Sequence, residues 1–187
     1  MISSNDFRNG VTIIIEGQLW TVIEFLHVKP GKGSAFVRTR LKNARTGSTV
    51  ERTFRAGEKL ERAVLDTRPM QMLYNDTEGY HFMDKESFEN VTLQRDLIGD
   101  PADFLKDGME VTMQFHDVNP ISVDLPAHVE LKVEETDPGF KGDTSQGTTK
   151  PAKLETGATV NVPLFVNPGD TIKIDTRDRR YIGRASN

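Results

Sequence analysis

The residues best suited by type and spacing to do chemistry are the lysines of Lys29-Pro30-Gly31-Lys32-Gly33. Pro30 presets φ for the first central position of a turn. Gly31 is expected to take the positive φ that a type II turn needs next, and Gly33 adds a second permissive backbone position. Lys32 then stands between two residues without side chains, so its primary amine is expected to project from a narrow tip into solvent. Just beyond, Arg38, Arg40 and Lys42 recur with the period of two that puts residues on one face of a strand, a ridge of cations suited to tracking phosphates. A second basic group, Arg177, Arg179, Arg180 and Arg184, lies near the end of the chain. Charge runs of that kind are commonly solvated faces.

Catalytic chemistry has no comparable candidate. The four histidines, His27, His81, His116 and His128, are scattered without the spacing of a metal site, and the chain has no cysteine. No nucleophile, base and orienting acid are suggested together, and there is no phosphate-binding or dinucleotide fingerprint. No catalytic residue, metal site or cofactor is expected.

The elements that must position the lysine loop read as strands. Val11 to Ile15, Leu19 to Val28, Ala35 to Lys42 and Thr49 to Phe54 are rich in β-branched and aromatic residues, with turns at Glu16-Gly17 and Thr46-Gly47. Trp20, Val22 and Leu26 are expected on one face of the second strand and Ile23 and Phe25 on the other, both largely buried. Five short strands with frequent glycine suggest a small SH3-like barrel over residues 1–63. Residues 64–128 read as strands Met70 to Tyr74, Tyr80 to Met83, Val91 to Arg95, Glu110 to Phe115 and Ser122 to Leu125. Asp100 and Pro101 are expected to start a short helix over 101–107, stopped by Gly108. Five strands with one helix is the parts list of an oligonucleotide-binding (OB) barrel. Residues 129–187 give strands Val129 to Glu135, Thr159 to Phe165, Thr171 to Asp175 and Arg180 to Arg184, with a polar, flexible stretch from Lys141 to Lys153. This is again a small barrel, so the fold class is all-β.

Composition agrees. A hydrophobic content of 36% in 187 residues suits several thin barrels better than one thick core. The N-terminus lacks the pattern of a signal peptide and no apolar run reaches transmembrane length, so a soluble chain is expected, and the missing cysteines agree with a reducing cytoplasm. Charge is unevenly spread. Residues 1–63 hold 11 Lys and Arg against 6 Asp and Glu, residues 64–128 hold 4 against 13, and residues 129–187 hold 9 against 9. Such a molecule is expected to meet RNA in one orientation, with the acidic segment turned from phosphates or facing basic protein.

The blocks Lys29-Pro30-Gly31-Lys32-Gly33-Ser34-Ala35-Phe36-Val37-Arg38, Arg52 to Glu58, Phe82-Met83-Asp84, Gly142-Asp143-Thr144 to Ala152, Thr156-Gly157, and Val160 to Pro163 with Gly169-Asp170 closely resemble those of bacterial translation elongation factor P. They come in this order along essentially the full chain. The resemblance implies a KOW-like, SH3-like first domain followed by two OB domains, in an elongated body shaped like a transfer RNA. It implies a monomeric partner of both ribosomal subunits that sits beside the peptidyl-tRNA and relieves stalling at consecutive prolines. Lys32 matches the residue that contacts the acceptor end of that tRNA, with Lys29, Pro30, Gly31 and Gly33 supporting it, and in some members a modifying enzyme lengthens that lysine. Gly142, Asp143, Thr144, Gly147 and Lys150 match a loop that approaches the exit-site codon and small-subunit RNA. Arg177, Arg179, Arg180 and Arg184 are expected to meet small-subunit RNA or protein.

Two rivals come from other classes. A free-standing single-stranded RNA-binding protein built of OB folds would offer exposed aromatic platforms in a basic groove, whereas here aromatics are sparse and the middle segment is acidic. An enzyme would need residues that the sequence does not nominate.

Overall fold

A computed structural model of the chain describes residues 1–139 and 148–185. Its strands gather into three antiparallel sheets that succeed one another along the sequence. The first joins β1 (Ile2–Ser3), β2 (Thr12–Ile15), β3 (Gln18–Val28), β4 (Phe36–Asn43), β5 (Thr49–Arg55) and β6 (Lys59–Ala63) in the order β1-β6-β2-β3-β4-β5. Glu16 and Gly17 both have positive φ, which the tight turn between β2 and β3 requires for its twist to match the strands. Phe7, Ile13, Val22, Val37, Leu41 and Phe54 fill the core, where Phe7 meets Phe54 edge to face at 5.4 Å.

The second sheet joins β7 (Leu65–Asp76), β8 (Gly79–Asp84), β9 (Asn90–Leu93), β10 (Glu110–His116) and β11 (Asn119–Asp124) in the order β11-β10-β7-β8-β9. The third joins β12 (His128–Thr136), β13 (Thr149–Leu154), β14 (Thr159–Pro163), β15 (Thr171–Asp175) and β16 (Arg180–Arg184) in the order β14-β13-β12-β15-β16, and β14 also lies against β16. In both sheets the first strand of the five is central, between the second and the fourth, which is the strand order of an OB barrel. Contacts gather into two compact units, residues 1–67 with 113–122, and residues 68–112 with 123–187.

Several expectations require correction. The first sheet has six strands where five were expected, because Ile2–Ser3 pairs with Lys59–Ala63, a charged run without apolar alternation. β3 is not buried on both sides. A register shift between Val22 and Glu24 inserts an extra residue, so Phe25 turns toward the core beside Trp20 and Val22 while Leu26 is left 58% exposed. β9 ends at Leu93, and Arg95 starts a single turn, α1 (Arg95–Ile98), rather than ending a strand. The helix expected over 101–107 is a 3₁₀ segment, Asp100–Phe104, with Gly99 at its N-cap and Asp100 already inside. Its Phe104 is buried among Val129, Leu131 and Ile172, so this short helix serves the core of the third barrel. Finally, part of the polar stretch 141–153 is strand, since β13 buries Lys150, Ala152 and Leu154 on alternate positions. Residues 140–147 are outside the described residues.

Candidate functional site: the β3–β4 loop and its basic ridge

β3 and β4 pair without interruption from Glu24↔Arg40 up to Val28↔Phe36, and residues 29–35 close the hairpin beyond that last rung. Lys29, Pro30, Gly31, Lys32, Gly33 and Ser34 are all exposed. The turn differs from the expected type II geometry. Gly31 does not have positive φ, whereas Gly33 sits at φ +105° with its Cα side facing Pro30, whose Cγ would lie 3.9 Å from a β-carbon there. The permissive glycine therefore follows Lys32 rather than preceding it. The returning strand is tied down, because Ala56 N–H donates to the Ala35 carbonyl at 3.1 Å and Thr39 Oγ1 donates to the Arg52 carbonyl at 2.6 Å. Lys32 has no hydrogen-bond or ion-pair partner among the described residues. A firmly paired base thus carries a free ammonium at its tip.

The ridge follows the expected alternation. Val37, Thr39 and Leu41 are buried, and Arg38, Arg40 and Lys42 are exposed on the opposite face. Their electrostatic settings differ. Arg40 lies between two acids, Glu24 on β3 and Glu51 on β5, and its guanidinium is 3.7 Å from Glu24. Arg38 lies between Leu26 and Thr53, and Lys42 between Thr21 and Thr49, none of them charged. Arg40 thus has an acid on each adjoining strand, while Arg38 and Lys42 have none. Glu24 and Glu51 were not singled out from sequence. Glu24 comes opposite Arg40 through the β3 bulge, which period-two counting does not see, and Glu51 through the β4–β5 register.

The C-terminal arginines also separate. Arg179 is held in place: its guanidinium is 2.7 Å from Asp103 and lies 4.7 Å from the centre of the Phe104 ring. Asp103 also accepts from Arg95. Burial pushes the Asp103 carboxyl up, but hydrogen bonds and charge from Arg179 and Arg95 outweigh it and leave the group below the usual carboxylate range. Arg184 covers the face of Phe165 at 4.8 Å and lies 3.9 Å from Asp170, and Arg180 pairs with Asp178 at 3.0 Å. Arg177 alone of the four has an exposed side chain with no ion pair among the described residues. Lys150 is 7% exposed and donates to the Asp137 carbonyl, anchoring the base of the segment that follows Asp137. Gly142, Asp143, Thr144 and Gly147 fall outside the described residues.

Of the histidines, His81 has a defined setting. Its Nε2 is 2.9 Å from Asp76 and its Nδ1 2.9 Å from Thr92, with Tyr74 stacked on the ring. Asp76, Glu78 and His81 are close enough to share an ion. Both ring nitrogens already have protein partners, and Asp76 also accepts from the Glu78 N–H at 2.9 Å, so the group reads as a cross-strand brace. No helix among the described residues is long and apolar enough to cross a membrane.

Three family models match the chain in succession. The elongation factor P KOW-like domain matches residues 3–60, the elongation factor P OB domain residues 65–123, and the elongation factor P C-terminal domain residues 129–184. The chain belongs to the elongation factor P family. An elongation factor P from Gloeobacter violaceus is 62% identical over 186 residues, covering 98% of this chain and 99% of that one. One from Moorella thermoacetica is 56% identical over 185 residues, covering 99% of this chain and 100% of its own. Among solved structures, one titled eukaryotic translation initiation factor 5A from Methanococcus jannaschii superposes with a TM-score of 0.51 at 22% identity, covering 64% of this chain and 88% of that one, a likeness of fold. Membership of elongation factor P makes the chain a translation elongation factor that works with the ribosome rather than an enzyme, and it does not support the free-standing RNA-binding alternative.

Proposed function

We propose that this elongation factor binds beside the peptidyl-tRNA, contacts both ribosomal subunits, and speeds peptide-bond formation at consecutive prolines by positioning the tRNA acceptor end with Lys32. The observation that carries this reading is the free, exposed Lys32 ammonium at the end of a hairpin whose base is fixed by continuous pairing. Proline's ring fixes φ and restricts alignment of the reacting ends. A cation on a short arm can hold phosphates or sugars of the acceptor end and cut unproductive orientations, and orientation supplies up to roughly 7–11 kcal/mol in ideal cases. A thousandfold acceleration needs only about 4 kcal/mol. No proton transfer by the factor is required.

In this reading Arg38 and Lys42 meet RNA phosphates along the hairpin, and Arg40 contributes chiefly to holding Glu24. Lys29 supports the approach of the tip, and an enzyme that extends Lys32 would lengthen the arm. Residues 1–63, 64–128 and 129–187 act as three modules of a monomer working in the cytoplasm. Loop residues Gly142, Asp143, Thr144 and Gly147 approach the exit-site codon, and Lys150 follows them as a buried residue of β13. Arg177 is the C-terminal arginine freest to reach small-subunit RNA. Reconstituted translation of a message encoding Pro-Pro-Pro tests the reading: added factor should raise full-length product, and Lys32→Ala should abolish the rise. Intact-mass spectrometry of protein purified from its native cells reads directly whether Lys32 carries an extension.

A further inference from the structure

Between the last strand of the second sheet and the first strand of the third, the chain has only Leu125, Pro126 and Ala127. Small barrels joined by a single link ordinarily turn against each other unless their contact is firm. Here the β15–β16 turn, Thr176 to Arg179, grips the link and the barrel that precedes it. Thr176 Oγ1 donates to the Pro126 carbonyl at 2.6 Å, and Thr176 N–H donates to the Ala127 carbonyl at 3.0 Å. Three residues on, the Arg179 guanidinium donates to Asp103 at 2.7 Å and to the Asp100 carbonyl at 3.5 Å, and it lies 4.7 Å from the centre of the Phe104 ring. Asp103 is held from both sides, since its other carboxylate oxygen accepts from Arg95, which also donates to the Tyr80 hydroxyl of β8 at 3.1 Å. The turn itself is set from within. The Asp175 carboxylate accepts the Arg177 and Asp178 N–H groups, both at 2.9 Å, and Arg179 takes a φ of 55°.

Further ties join the same two barrels. Phe104 is buried in the core of the third barrel, and Met109 and Leu125 pack against that core. Lys106 pairs with Glu155 at 3.1 Å, and Glu155 also accepts the Lys132 N–H at 2.8 Å. An exposed ion pair contributes little alone. The Arg179 pair is joined to a cation–π contact over a buried ring, to an acid shared with Arg95 and to a pinned link, so several contacts stand or fall together. We propose that the β15–β16 turn is an inter-barrel clamp, through which residues 68–112 and the third barrel move as one body. Arg179 serves this clamp and not RNA, which separates it from Arg177 two residues before. The second and third modules then present their surfaces to a partner at a fixed spacing. The inference concerns the chain by itself and stands apart from the ribosomal reading.

The test uses the full-length chain, which has no cysteine of its own, so introduced cysteines take spin labels at chosen sites only. One label pair, Glu89→Cys with Asn161→Cys, spans the two barrels, and a control pair, Glu130→Cys with Asn161→Cys, lies within the third; all three positions are exposed. With the clamp intact, spin–spin distance measurements should give one narrow distribution for the spanning pair. Thr176→Val with Arg179→Ala, which leaves Phe104 in place to fill the core, should broaden that distribution about twofold and leave the control pair unchanged. A broad distribution for the spanning pair in the otherwise wild-type chain would overturn the proposal, as would an unchanged narrow one in the clamp variant. Equal broadening of the control pair would also overturn it, because the turn would then be holding its own barrel together.

Discussion

Two arginines on one strand face can differ in what they offer a phosphate, because each feels the charge of its cross-strand neighbours. Arg40 sits between Glu24 and Glu51, and Arg38 between Leu26 and Thr53. Arg38→Ala should therefore weaken ribosome binding and reduce the slope of its salt dependence by about one, while Arg40→Ala should change both little. Filter binding at several salt concentrations distinguishes the two, and equal effects would show that the acids do not screen Arg40. The glycines on either side of Lys32 make a second contrast. Gly33 has φ of +105° whereas Gly31 lies outside the left-handed region with open space around it. Gly33→Ala should distort the tip and lower factor-stimulated synthesis, at a local cost of about 1–2 kcal/mol, and Gly31→Ala should be tolerated. The residue types nominated the loop from sequence, but which glycine takes the strained conformation follows from how the hairpin closes.

At the scale of elements, β15 and β16 match their expected limits, because the turn residues Asn167 to Asp170 and Thr176 to Arg179 bound β15 on both sides and fix where β16 begins. β13 was hidden because its outward positions are Thr149, Pro151 and Lys153, and the buried alternates include Lys150, whose ammonium is satisfied by a carbonyl. The 3₁₀ segment Asp100–Phe104 was legible as a helix start but not in its role. Phe104 belongs to a core built from residues downstream of it, and Asp103 and Arg179 are 76 residues apart in sequence. Their pair makes a prediction with a definite sign. The folded-state pKa of Asp103 is lowered from 3.8, so its stabilisation is present above that value and is lost as pH falls through the folded pKa. Both side chains are partly solvated, which limits the pair to about 1 kcal/mol, or a melting-temperature change of about 2–4 °C. Arg179→Ala should show that deficit at pH 7 by calorimetry, and the gap between variant and wild type should narrow below pH 3.8. A gap that persists unchanged in acid would assign the loss to packing over Phe104 instead.

For the molecule as a whole, charge is divided among segments so that the cation-rich hairpin and the acid-rich middle lie in different stretches of sequence. Residues 1–63 hold 11 bases against 6 acids, and residues 64–128 hold 4 against 13. This division was read from sequence directly, as was the succession of small all-β sheets, because both depend on local composition and periodicity. What was not readable is which cations remain free after folding, since pairing across strands cancels some and leaves others. Lys32 is among those left free, and the account depends on that amine acting at a distance from any catalytic group of its own. The most direct measurement is the rate of synthesis across a Pro-Pro-Pro stretch in reconstituted translation, with wild-type factor, Lys32→Ala and no factor. The account predicts that Lys32→Ala, with unchanged circular dichroism and retained ribosome binding, gives the rate seen without factor. Wild-type stimulation by Lys32→Ala would contradict it.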